Sequence, residues 1–521
     1  MKTQRLLSIA LSWIAAVLLT GCAALPSGVE RPVSHAMDDM QTTQLAQIAT
    51  AAAIGQSDDA SGFRLLPNGD HGFDARIALA RRAERSLDVQ YYLLQHDATG
   101  LRLLRELRDA ALRGVRVRIL LDDFYTAGQD RMLAALAAHD NVEIRLFNPL
   151  PSRGRSHTVR LALSLHALPR INHRMHNKLF IADNSFAVTG GRNIGDEYFM
   201  QSREANFIDL DVLASGPVVR ALSGVFDRYW NSEPAYPLAS LVPPPADAQA
   251  TRAAFARAVD GLADLPVLPT DVLGRTPPSE QLESGRLDQR FASAEVLADS
   301  PDKVQGVTAD NVDATVHAGA LRLMRSARKS VTMTSPYFIP GPQGIAMMEL
   351  AARHGVRLTL MTNAMGATDE PLAHFAYARY REDMLKAGVT VYELSPTLAR
   401  QSGGMGNFGS SLGRLHAKAA VVDERRLFIG SMNLDMRSRF ANTESALVID
   451  SPELAADAAG LLRTGAPSSA YRVRLAAEQG PQWQEAGHGD AGRVHASEPG
   501  LTLRLGLMRL LVAPFVPESL L

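Results

Sequence analysis

The chain has 521 residues, and this length exceeds what a single hydrophobic core usually holds. Its formal net charge of −1 excludes the overall basic charge that is typical of proteins drawn non-specifically onto nucleic acid. The single cysteine, Cys22, excludes an intramolecular disulfide and a cysteine-rich zinc site. We therefore expect a folded protein with at least two domains, in which any anion site is local.

The N-terminus has the pattern of a secretory signal. Two basic residues, Lys2 and Arg5, precede an apolar run that ends at Leu19-Thr20-Gly21-Cys22. The run is short for a membrane span, and its positive start is typical of a signal peptide. The pattern resembles bacterial lipoproteins, in which cleavage before the cysteine leaves it N-terminal and lipidated. We expect residues 1–21 to be a signal peptide and Cys22 to carry acyl chains; a retained helical anchor is the alternative.

Residues 22–63 are small and polar, with an alanine-rich stretch near residues 50–54. This composition predicts a tether followed by a lead-in helix. Lipidation would hold the protein in the bacterial cell envelope, facing the periplasm, at either the inner or the outer membrane.

Residues 64–232 predict a first α/β domain. Apolar periodicity indicates helices over 76–85 and 101–112, and strand-forming residues are concentrated over 86–94 and 115–121. Alternating helices and strands are typical of a layered α/β domain.

One segment of this domain predicts contact with a membrane. Residues 144–182 contain no acidic residue, and residues 161–168 are strongly apolar. The basic residues are Arg145, Arg153, Arg155, Arg160, Arg170, Arg174 and Lys178. Basic residues beside an apolar patch suit an interfacial segment, which we place at 153–170. The alternative is a core-packed helix with a solvated basic face.

A second copy of the domain is predicted over residues 307–465. Ala327-Arg328-Lys329-Ser330 leads into a strand, as Ala83-Glu84-Arg85-Ser86 does in the first copy. Between the copies, residues 233–306 are rich in proline and predict a linker or insertion. Residues 466–521 form a C-terminal extension, and the leucine-rich part at 501–521 predicts a helix on the membrane or, equally, on the core.

The candidate chemistry occurs at matching points of the two copies. His176, Lys178 and Asp183 precede Gly190-Gly191-Arg192-Asn193 in the first copy, and His416, Lys418 and Asp423 precede Gly430-Ser431-Met432-Asn433 in the second. The offset is constant, since 416 − 176 and 433 − 193 both equal 240. A lone His-x-Lys pair is usually an accident of composition, whereas two pairs in register indicate a functional site.

These residue types suit the transfer of a phosphate ester. A histidine and a lysine two apart on a strand point to the same face, so both can meet one ligand. The lysine supplies charge to phosphate oxygens, and the side chains of Asn193, Asn433 and Ser431 offer hydrogen bonds. If the copies pack face to face, one histidine can attack phosphorus while the other protonates the leaving alkoxide, with no metal required.

Further carboxylates fit a role in orienting the histidines. A catalytic imidazole commonly needs an acceptor on its second nitrogen. Glu204 and Glu444 are the candidates because 444 − 204 is again 240; exposed strand-end acids are the alternative. Gly191 replaces Ser431 in the first copy, which removes one hydroxyl from that half. Asp183 and Asp423 are either catalytic or structural.

The two His-x-Lys-x-x-x-x-Asp runs and their followers resemble the phospholipase D superfamily, and the likeness extends from about Arg64 onward. Four stretches resemble more narrowly the bacterial cardiolipin synthases of the C type. They are Leu87-Asp88-Val89-Gln90-Tyr91-Tyr92, Leu121-Asp122-Asp123, Arg174-Met175-His176-Asn177-Lys178 and Gly190-Gly191-Arg192-Asn193-Ile194-Gly195-Asp196.

The resemblance implies a phospholipase D fold: two duplicated α/β/α sandwich domains related by a pseudo-twofold axis, with one active site at their interface. It also implies a phosphohistidine intermediate, with His176 as the nucleophile and His416 as the acid and base by analogy; the reverse assignment stays open. The family joins two phospholipids by transesterification and releases the headgroup alcohol of the donor. Neither a cofactor nor a metal is implied.

The expected function is phosphatidyl transfer between phospholipids, with cardiolipin made from phosphatidylglycerol and a second phosphatidylglycerol or phosphatidylethanolamine. A hydrolase of the same superfamily, either a phospholipase D or a nuclease, is the first alternative, and a non-catalytic lipid-binding envelope protein is the second. The expected partners are phospholipid substrates and the membrane. Nucleic acid is not expected, and the sequence identifies no protein partner.

Overall fold

The computed structural model describes residues 25–38, 40–154, 156–306, 312–402, 408–476, 480–485 and 492–521. The predicted signal peptide and Cys22 lie outside these ranges. Within them, no helix has both the length and the apolar character that crossing a bilayer requires.

The first half alternates strands and helices, as its sequence predicts. Its elements are α1 Gln44–Ala52, β1 Ser61–Leu66, α2 Gly69–Arg82, β2 Ser86–Tyr91, α3 Ala98–Leu112, β3 Arg116–Asp122, α4 Asp130–Leu136, β4 Val142–Phe147, α5 His157–Leu163, α6 Leu168–Asn172, β5 Leu179–Ala182, β6 Phe186–Gly190, β7 Ala205–Ile208, β8 Asp211–Ser215 and α7 Pro217–Trp230.

The remainder of the chain repeats this pattern after a connecting segment. Its elements are β9 Ala235–Pro237, α8 Ala248–Val259, α9 Pro278–Ser284, β10 Arg290–Ala298, α10 Val316–Arg325, β11 Ser330–Thr334, α11 Gly341–Arg353, β12 Arg357–Asn363, α12 Pro371–Lys386, β13 Thr390–Leu394, α13 Pro396–Ser402, β14 Leu412–Leu415, β15 Ala419–Val422, β16 Arg426–Gly430, α14 Met436–Phe440, β17 Ser445–Asp450, α15 Pro452–Ser469, β18 Ala470–Ala476, β19 Gly480–Glu485, β20 Val494–His495 and α16 Leu503–Leu511.

The two halves build sheets with the same strand order. The first runs β9-β4-β3-β2-β5-β6-β8-β1, and the second runs β13-β12-β11-β15-β16-β17 with β18, β19 and β20 added beyond β13. In each half three neighbouring strands are parallel: β2, β3 and β4 in the first, and β11, β12 and β13 in the second. The predicted duplicated α/β fold is confirmed.

The halves share a hydrophobic core. Alternate residues of β5 face opposite sides of the sheet, as the two-residue period of a strand requires. Phe180 packs in an outer core beneath helices α2 and α3, whereas Ile181 packs in a central core that also contains Val421 and Ile429 of the second half. The interface between the halves is therefore a continuous apolar core, which fixes their relative position.

The segment at 233–306, predicted as a linker or insertion, contributes to the sheets. Strand β9 pairs with β4 at one edge of the first sheet. Strand β10 pairs with β1 of the first sheet and with β17 of the second. Without β10, the outer edges of β1 and β17 would present unpaired backbone groups. Strand β10 therefore joins the two sheets and removes both edges.

Contacts of both halves extend beyond the domain boundaries predicted at residues 63 and 465. Ser34, in the predicted tether, accepts a hydrogen bond from Trp230 Nε1 at 2.9 Å, and the Ala36 amide donates to Asp227 at 2.8 Å. The tether is thus fixed to α7 from about residue 34. At the other end, β18 pairs with β13, so the second sheet continues past residue 465.

Candidate active site

The two His-x-Lys pairs lie just before strands β5 and β15, at the carboxyl ends of neighbouring parallel strands. The Met175 amide donates to Asp122, the last residue of β3, at 2.8 Å. In the second half the Leu415 amide donates to Asn363, the last residue of β12, at 2.8 Å. In both halves, a hydrogen bond from the backbone to the side chain that ends a parallel strand therefore fixes the residue before the histidine.

Each histidine is also bound to the backbone of the opposite half. The His176 amide donates to Thr443 O at 2.9 Å, and the His416 amide donates to Ile208 O at 2.7 Å. Ile208 belongs to β7, which pairs in parallel with β14. These crossed bonds place both motifs at the interface and build one site from the two halves.

The orienting carboxylates cross the interface in the same way. His176 Nδ1 lies 2.9 Å from Glu444 Oε2, and His416 Nδ1 lies 2.5 Å from Asp209 Oδ2. All four side chains are buried. An ionised carboxylate only accepts, so each imidazole carries its proton on Nδ1 and leaves Nε2 for chemistry.

Glu204 does not take the orienting role predicted for it. It is exposed, and the carboxylate beside His416 belongs to Asp209. The strand pairing shows why, because Gly190 pairs with Asp211 whereas Gly430 pairs with Ala446. The offset thus falls from 430 − 190 = 240 to 446 − 211 = 235, so the first half contains five extra residues before this carboxylate. Aligning the strands that follow, rather than the motifs, would have identified Asp209.

The two carboxylates have different surroundings. Glu444 accepts from Ser431 Oγ at 2.5 Å and from Ser438 Oγ at 2.8 Å. Ser431, predicted to bind phosphate, therefore supports the orienting carboxylate. In the first half a Cβ on Gly191 would lie 2.1 Å from Asp209 Oδ1, so the glycine is needed for the carboxylate to approach.

Asn193 and Asn433 remain suited to bind phosphate. Both are buried, and neither Oδ1 atom has a hydrogen-bond partner in the part of the chain that the structure describes. Asn193 Nδ2 donates to the hydroxyl of Tyr198 at 3.0 Å. A half-turn of either amide exchanges its oxygen and nitrogen, so each side chain can present donors to an anion.

Aromatic rings that the sequence analysis did not assign to the site flank the histidines. Tyr92 packs edge-on against His176 at a centroid distance of 5.0 Å. Tyr198 packs edge-on against His416 at 5.2 Å, and Phe207 lies at 4.9 Å. Such rings limit water around each imidazole and hold its plane.

Comparison with known proteins agrees with this geometry. A family model described as "Cardiolipin synthase, PLD-like domain" matches residues 77–230 and 320–462. "Cardiolipin synthase C" of Escherichia coli K12 is 38% identical over 388 residues, which is 74% of this chain and 80% of that protein. The chain belongs to the phospholipase D-like cardiolipin synthase family.

The chain is also similar to proteins at lower identity. "Cardiolipin synthase" of Geobacillus kaustophilus HTA426 is 28% identical over 386 residues, which is 74% of this chain and 62% of that protein. The crystal structure of phosphatidylserine synthase from Haemophilus influenzae Rd KW20 has a TM-score of 0.55 at 14% identity and covers 92% of this chain and 100% of that one. At this identity the likeness shows the fold alone. As a member of the cardiolipin synthase family, the protein is an enzyme of the phosphatidyltransferase class.

The aspartates of the family motifs lie away from the chemistry. Asp183 accepts backbone N–H groups of Glu84, Arg85 and Ser86, with the closest contact at 2.8 Å. Asp423 does the same for residues 328–330, with the closest contact at 2.7 Å. Both therefore brace the turn before a neighbouring strand, which is the segment whose sequence repeats between the halves. The structure does not support a catalytic role for either.

Burial controls the charge of the motif lysines. Each Nζ donates to the carbonyl of its own histidine, and burial lowers the pKa of Lys178 to about 7 and that of Lys418 to about 8. An anion placed between them would restore their charge, because it offsets the desolvation that favours the neutral amine. The site is thus suited to attract a phosphodiester.

Burial also lowers the pKa of both histidines, to about 4 for His176. Burial alone would raise the pKa of Glu444 and Asp209, but the adjacent histidine and lysine charges hold both below their usual range. At neutral pH the empty site thus holds neutral imidazoles beside ionised carboxylates. A neutral imidazole with a free Nε2 is a nucleophile or a base, and an arriving anion raises its pKa toward that of an acid.

Proposed function

We propose that the enzyme transfers a phosphatidyl group through a covalent phosphohistidine and makes cardiolipin from phosphatidylglycerol and a second phospholipid. The crossed pairs, His176 with Glu444 and His416 with Asp209, are the observation that carries the proposal. They leave two Nε2 atoms in one site lined by two lysines. Two positioned imidazoles are what double displacement at phosphorus needs.

In the first step, His176 Nε2 attacks the phosphorus of a donor phospholipid. The bond from phosphorus to the headgroup oxygen breaks. His416, which takes up a proton on Nε2 when the anionic phosphodiester binds, gives that proton to the headgroup oxygen. Lys178, Lys418 and the two asparagine amides bind the non-bridging oxygens, whose negative charge grows in the transition state. The headgroup alcohol leaves, and the phosphatidyl group stays on His176.

In the second step, neutral His416 takes the proton of an acceptor hydroxyl, and the acceptor oxygen attacks phosphorus. The bond from phosphorus to His176 breaks, which restores both imidazoles to their starting states. When the acceptor is the headgroup hydroxyl of phosphatidylglycerol, the product is cardiolipin. The donor is a second phosphatidylglycerol, which releases glycerol, or phosphatidylethanolamine, which releases ethanolamine.

The unequal carboxylates support this division of roles. Asp209 accepts a side-chain hydrogen bond only from His416 among the described residues, whereas Glu444 also accepts from two serine hydroxyls. Hydroxyl donors disperse the charge of Glu444, so it favours an imidazolium on His176 less. A nucleophile has to stay neutral and an acid has to hold a proton, which assigns attack to His176 and proton transfer to His416.

The test uses purified enzyme in vesicles of phosphatidylglycerol and phosphatidylethanolamine, with lipid products followed by mass spectrometry. Cardiolipin made by the wild type and lost in both His176→Ala and His416→Ala supports the proposal. Phosphatidic acid as the sole product would replace it with hydrolysis. Isotope-labelled ethanolamine or glycerol headgroups identify which donor loses its alcohol.

We further propose that the enzyme is a lipoprotein of the bacterial cell envelope that faces the periplasm. The support is the sequence Leu19-Thr20-Gly21-Cys22 after a basic and apolar start. Metabolic labelling with radioactive palmitate should mark the wild type and fail to mark Cys22→Ser. Equal labelling of both proteins would contradict lipidation at this residue.

A further inference from the structure

An exposed apolar surface lies on the first half, beside the active site. It is formed by α5, α6 and the turn between them, which together we call the front segment (residues 157–172). Four large apolar side chains of this segment are exposed: Val159, Leu163, Leu165 and Leu168. The sequence analysis predicts a membrane contact at 153–170, and the structure provides the apolar part of it.

The basic part of that prediction is not supported. Arg160 is buried and pairs with Asp123, and Arg153 also pairs with Asp123 and with Asp130. Arg170 donates to Asn148 Oδ1 at 2.6 Å. Arg160 therefore fastens the front segment to Asp123, which follows β3, and Arg170 fastens it to Asn148, which follows β4. The leucines are left on the outside.

A second apolar surface lies on the other half. Helix α16 and the turn after it, residues 503–515, form what we call the tail segment. It packs Leu505, Met508 and Ala513 against Met365 and Phe375. Its outer face carries large apolar side chains that are mostly exposed: Leu503 at 84%, Leu507 at 50%, Leu510 at 70%, Leu511 at 63% and Phe515 at 82%. The segment contains Arg504 and Arg509 and no acidic residue.

Contacts lead from the front segment, and from the residues after the tail segment, toward the catalytic residues. From the front segment, His157 stacks on Tyr125, which meets Tyr92, which in turn meets His176. From the tail side, the chain end docks on α14, where the Arg437 amide donates to Leu521 O at 3.0 Å. The next residue of α14, Ser438, donates to Glu444. The front segment and the chain that follows the tail segment are therefore both linked to the residues of the active site.

We propose that the front and tail segments together form a docking surface for an anionic bilayer, which seats the mouth of the active site on the membrane. This inference rests on the proposed function, because a phospholipid substrate resides in a bilayer. Apolar side chains that reach past the headgroups, with arginines beside them, are the features of a protein that lies on a membrane. Acyl chains can then stay in the bilayer while the headgroup phosphate reaches His176 and His416.

Charge favours a bilayer over a protein partner. The tail segment carries two exposed arginines, Arg504 and Arg509, and no acidic residue, and the side chain of Glu498, the partner of Arg509, is buried. The outer face of the segment therefore combines leucines with positive charge, which suits anionic headgroups. Together the two segments expose an apolar area divided between the halves, which suits a fluid surface that adapts to both.

Tryptophan probes test the contact directly in the full chain, with its proposed anchor retained. Leu168→Trp and Phe515→Trp are placed in phosphatidylglycerol vesicles with and without bromine-labelled acyl chains, which quench a tryptophan that enters the bilayer. The matched control is Leu112→Trp, because Leu112 is 66% exposed but ends α3 at the amino edge of the parallel strands, opposite the site. We expect quenching of both probes and none of the control. Equal quenching of all three, or of none, would overturn the docking surface.

Serine substitutions test its consequence. The double variants Leu165→Ser/Leu168→Ser and Leu507→Ser/Leu510→Ser should lower transfer between bilayer lipids by about tenfold or more, because each removes exposed apolar area that the bilayer would bury. Activity on short-chain phosphatidylglycerol below its micellar concentration should stay within about twofold, since the site is untouched. Leu112→Ser should change neither.

The outcomes separate the two proposals. An equal loss on bilayer and short-chain substrate, with a lowered melting temperature, would show that the segments only support the fold and would overturn the docking surface. Quenching without phosphatidyl transfer to any acceptor would leave the docking surface in place and overturn the proposed function. Phosphatidyl transfer in vesicles without quenching of either probe would support the proposed function and overturn the docking surface.

Discussion

The two halves of the enzyme present equivalent histidines to different carboxylates. In the first half, Asp209 reaches across to His416 over a backbone that has no side chain at Gly191. In the second, Glu444 reaches across to His176 and is held by the hydroxyls of two serines. The comparison shows that a duplicated fold can keep its geometry while the electrostatics of its two histidines diverge.

That divergence has a chemical use. Two identical imidazoles would compete for one proton, and neither role would be fixed. Besides the imidazole, Asp209 accepts one backbone N–H, that of Leu210 at 2.8 Å, whereas Glu444 accepts two serine hydroxyls. The carboxylate beside His416 therefore favours a protonated imidazole more than the carboxylate beside His176 does. Substitutions at Asp209, Gly191 and Ser431 test whether this difference is functional.

The largest effect is expected from Asp209→Asn. The amide keeps the shape of the side chain but removes the charge that stabilises the His416 imidazolium, so kcat should fall by about 10³-fold or more. Glu204→Gln is the matched control, because Glu204 is exposed on the same connection and contacts neither histidine. Rates of phosphatidyl transfer under saturating lipid measure both. A large loss in the Glu204 variant and none in the Asp209 variant would refute the conclusion that Asp209, and not Glu204, orients His416.

Substitutions at Gly191 and Ser431, the residues beside the two carboxylates, should lower kcat less than Asp209→Asn does. Gly191→Ser places a Cβ 2.1 Å from Asp209 Oδ1, which displaces the carboxylate, so kcat should fall by about 10²-fold with a loss of about 1–3 kcal/mol in stability. Ser431→Gly removes one hydroxyl from Glu444 and should cost about tenfold in kcat. Kinetics and urea unfolding measure the two effects. Equal losses in the two variants would show that the surroundings of the carboxylates do not matter.

The lysines should make anion binding depend on pH. Their pKa values, about 7 for Lys178 and about 8 for Lys418, mean that the empty site loses its charge as pH rises. Binding of tungstate between pH 7 and 9 must therefore take up protons, and affinity should fall by up to about tenfold per pH unit for each proton. Calorimetry in buffers of different ionisation heat counts the protons, and Lys178→Met should take up fewer. An affinity independent of pH would contradict the charge state inferred for the empty site.

The smallest effect on rate is expected at the motif aspartates. Asp183→Asn turns an amide group toward backbone N–H donors and should cost about 1–3 kcal/mol of stability, with kcat within about threefold of the wild type. Asp423→Asn should cost less, because Asp423 is partly exposed whereas Asp183 is fully buried. Thermal unfolding measured beside kcat separates stability from chemistry. A loss of rate with unchanged stability would restore a catalytic role.

A pH effect follows for Asp423. Burial alone would raise its pKa, but the three backbone N–H groups hold it below its ordinary value. The folded state therefore binds this proton less readily than the unfolded state does. Its contribution is present above the unfolded pKa and is lost as pH falls through the folded one. Asp423→Asn should flatten the stability profile in that acidic range.

Much of the site could be predicted from the sequence because the motifs keep one offset. The constant difference of 240 located both histidines, both lysines and both asparagines, and it located Glu444. It failed for Asp209 because five residues are inserted in the first half, where β7 pairs with β14. A parallel pairing between strands about 200 residues apart leaves no local pattern in the sequence.

The roles of side chains were harder to predict than their positions. The repeated tetrapeptides before β2 and β11 are the partners of Asp183 and Asp423, but nothing in their spacing shows which backbone groups the aspartates accept. Likewise, the sequence predicts a basic surface at Arg153 and Arg160, but in the structure both pair with Asp123, which is 30 and 37 residues away from them in the sequence. Strand β10 could not be predicted from the proline-rich connection that contains it, because it forms by pairing with β1 and β17, which are distant in sequence.

The central claim is that His176 forms the covalent bond and His416 moves the proton. Phosphatidyl p-nitrophenol tests it most directly, because nitrophenolate leaves without being protonated. His416→Ala should release one equivalent of nitrophenolate per enzyme in a burst and hold the phosphatidyl group on the peptide that contains His176. His176→Ala should release none. A burst and an adduct in the His176 variant, with neither in the His416 variant, would contradict the claim.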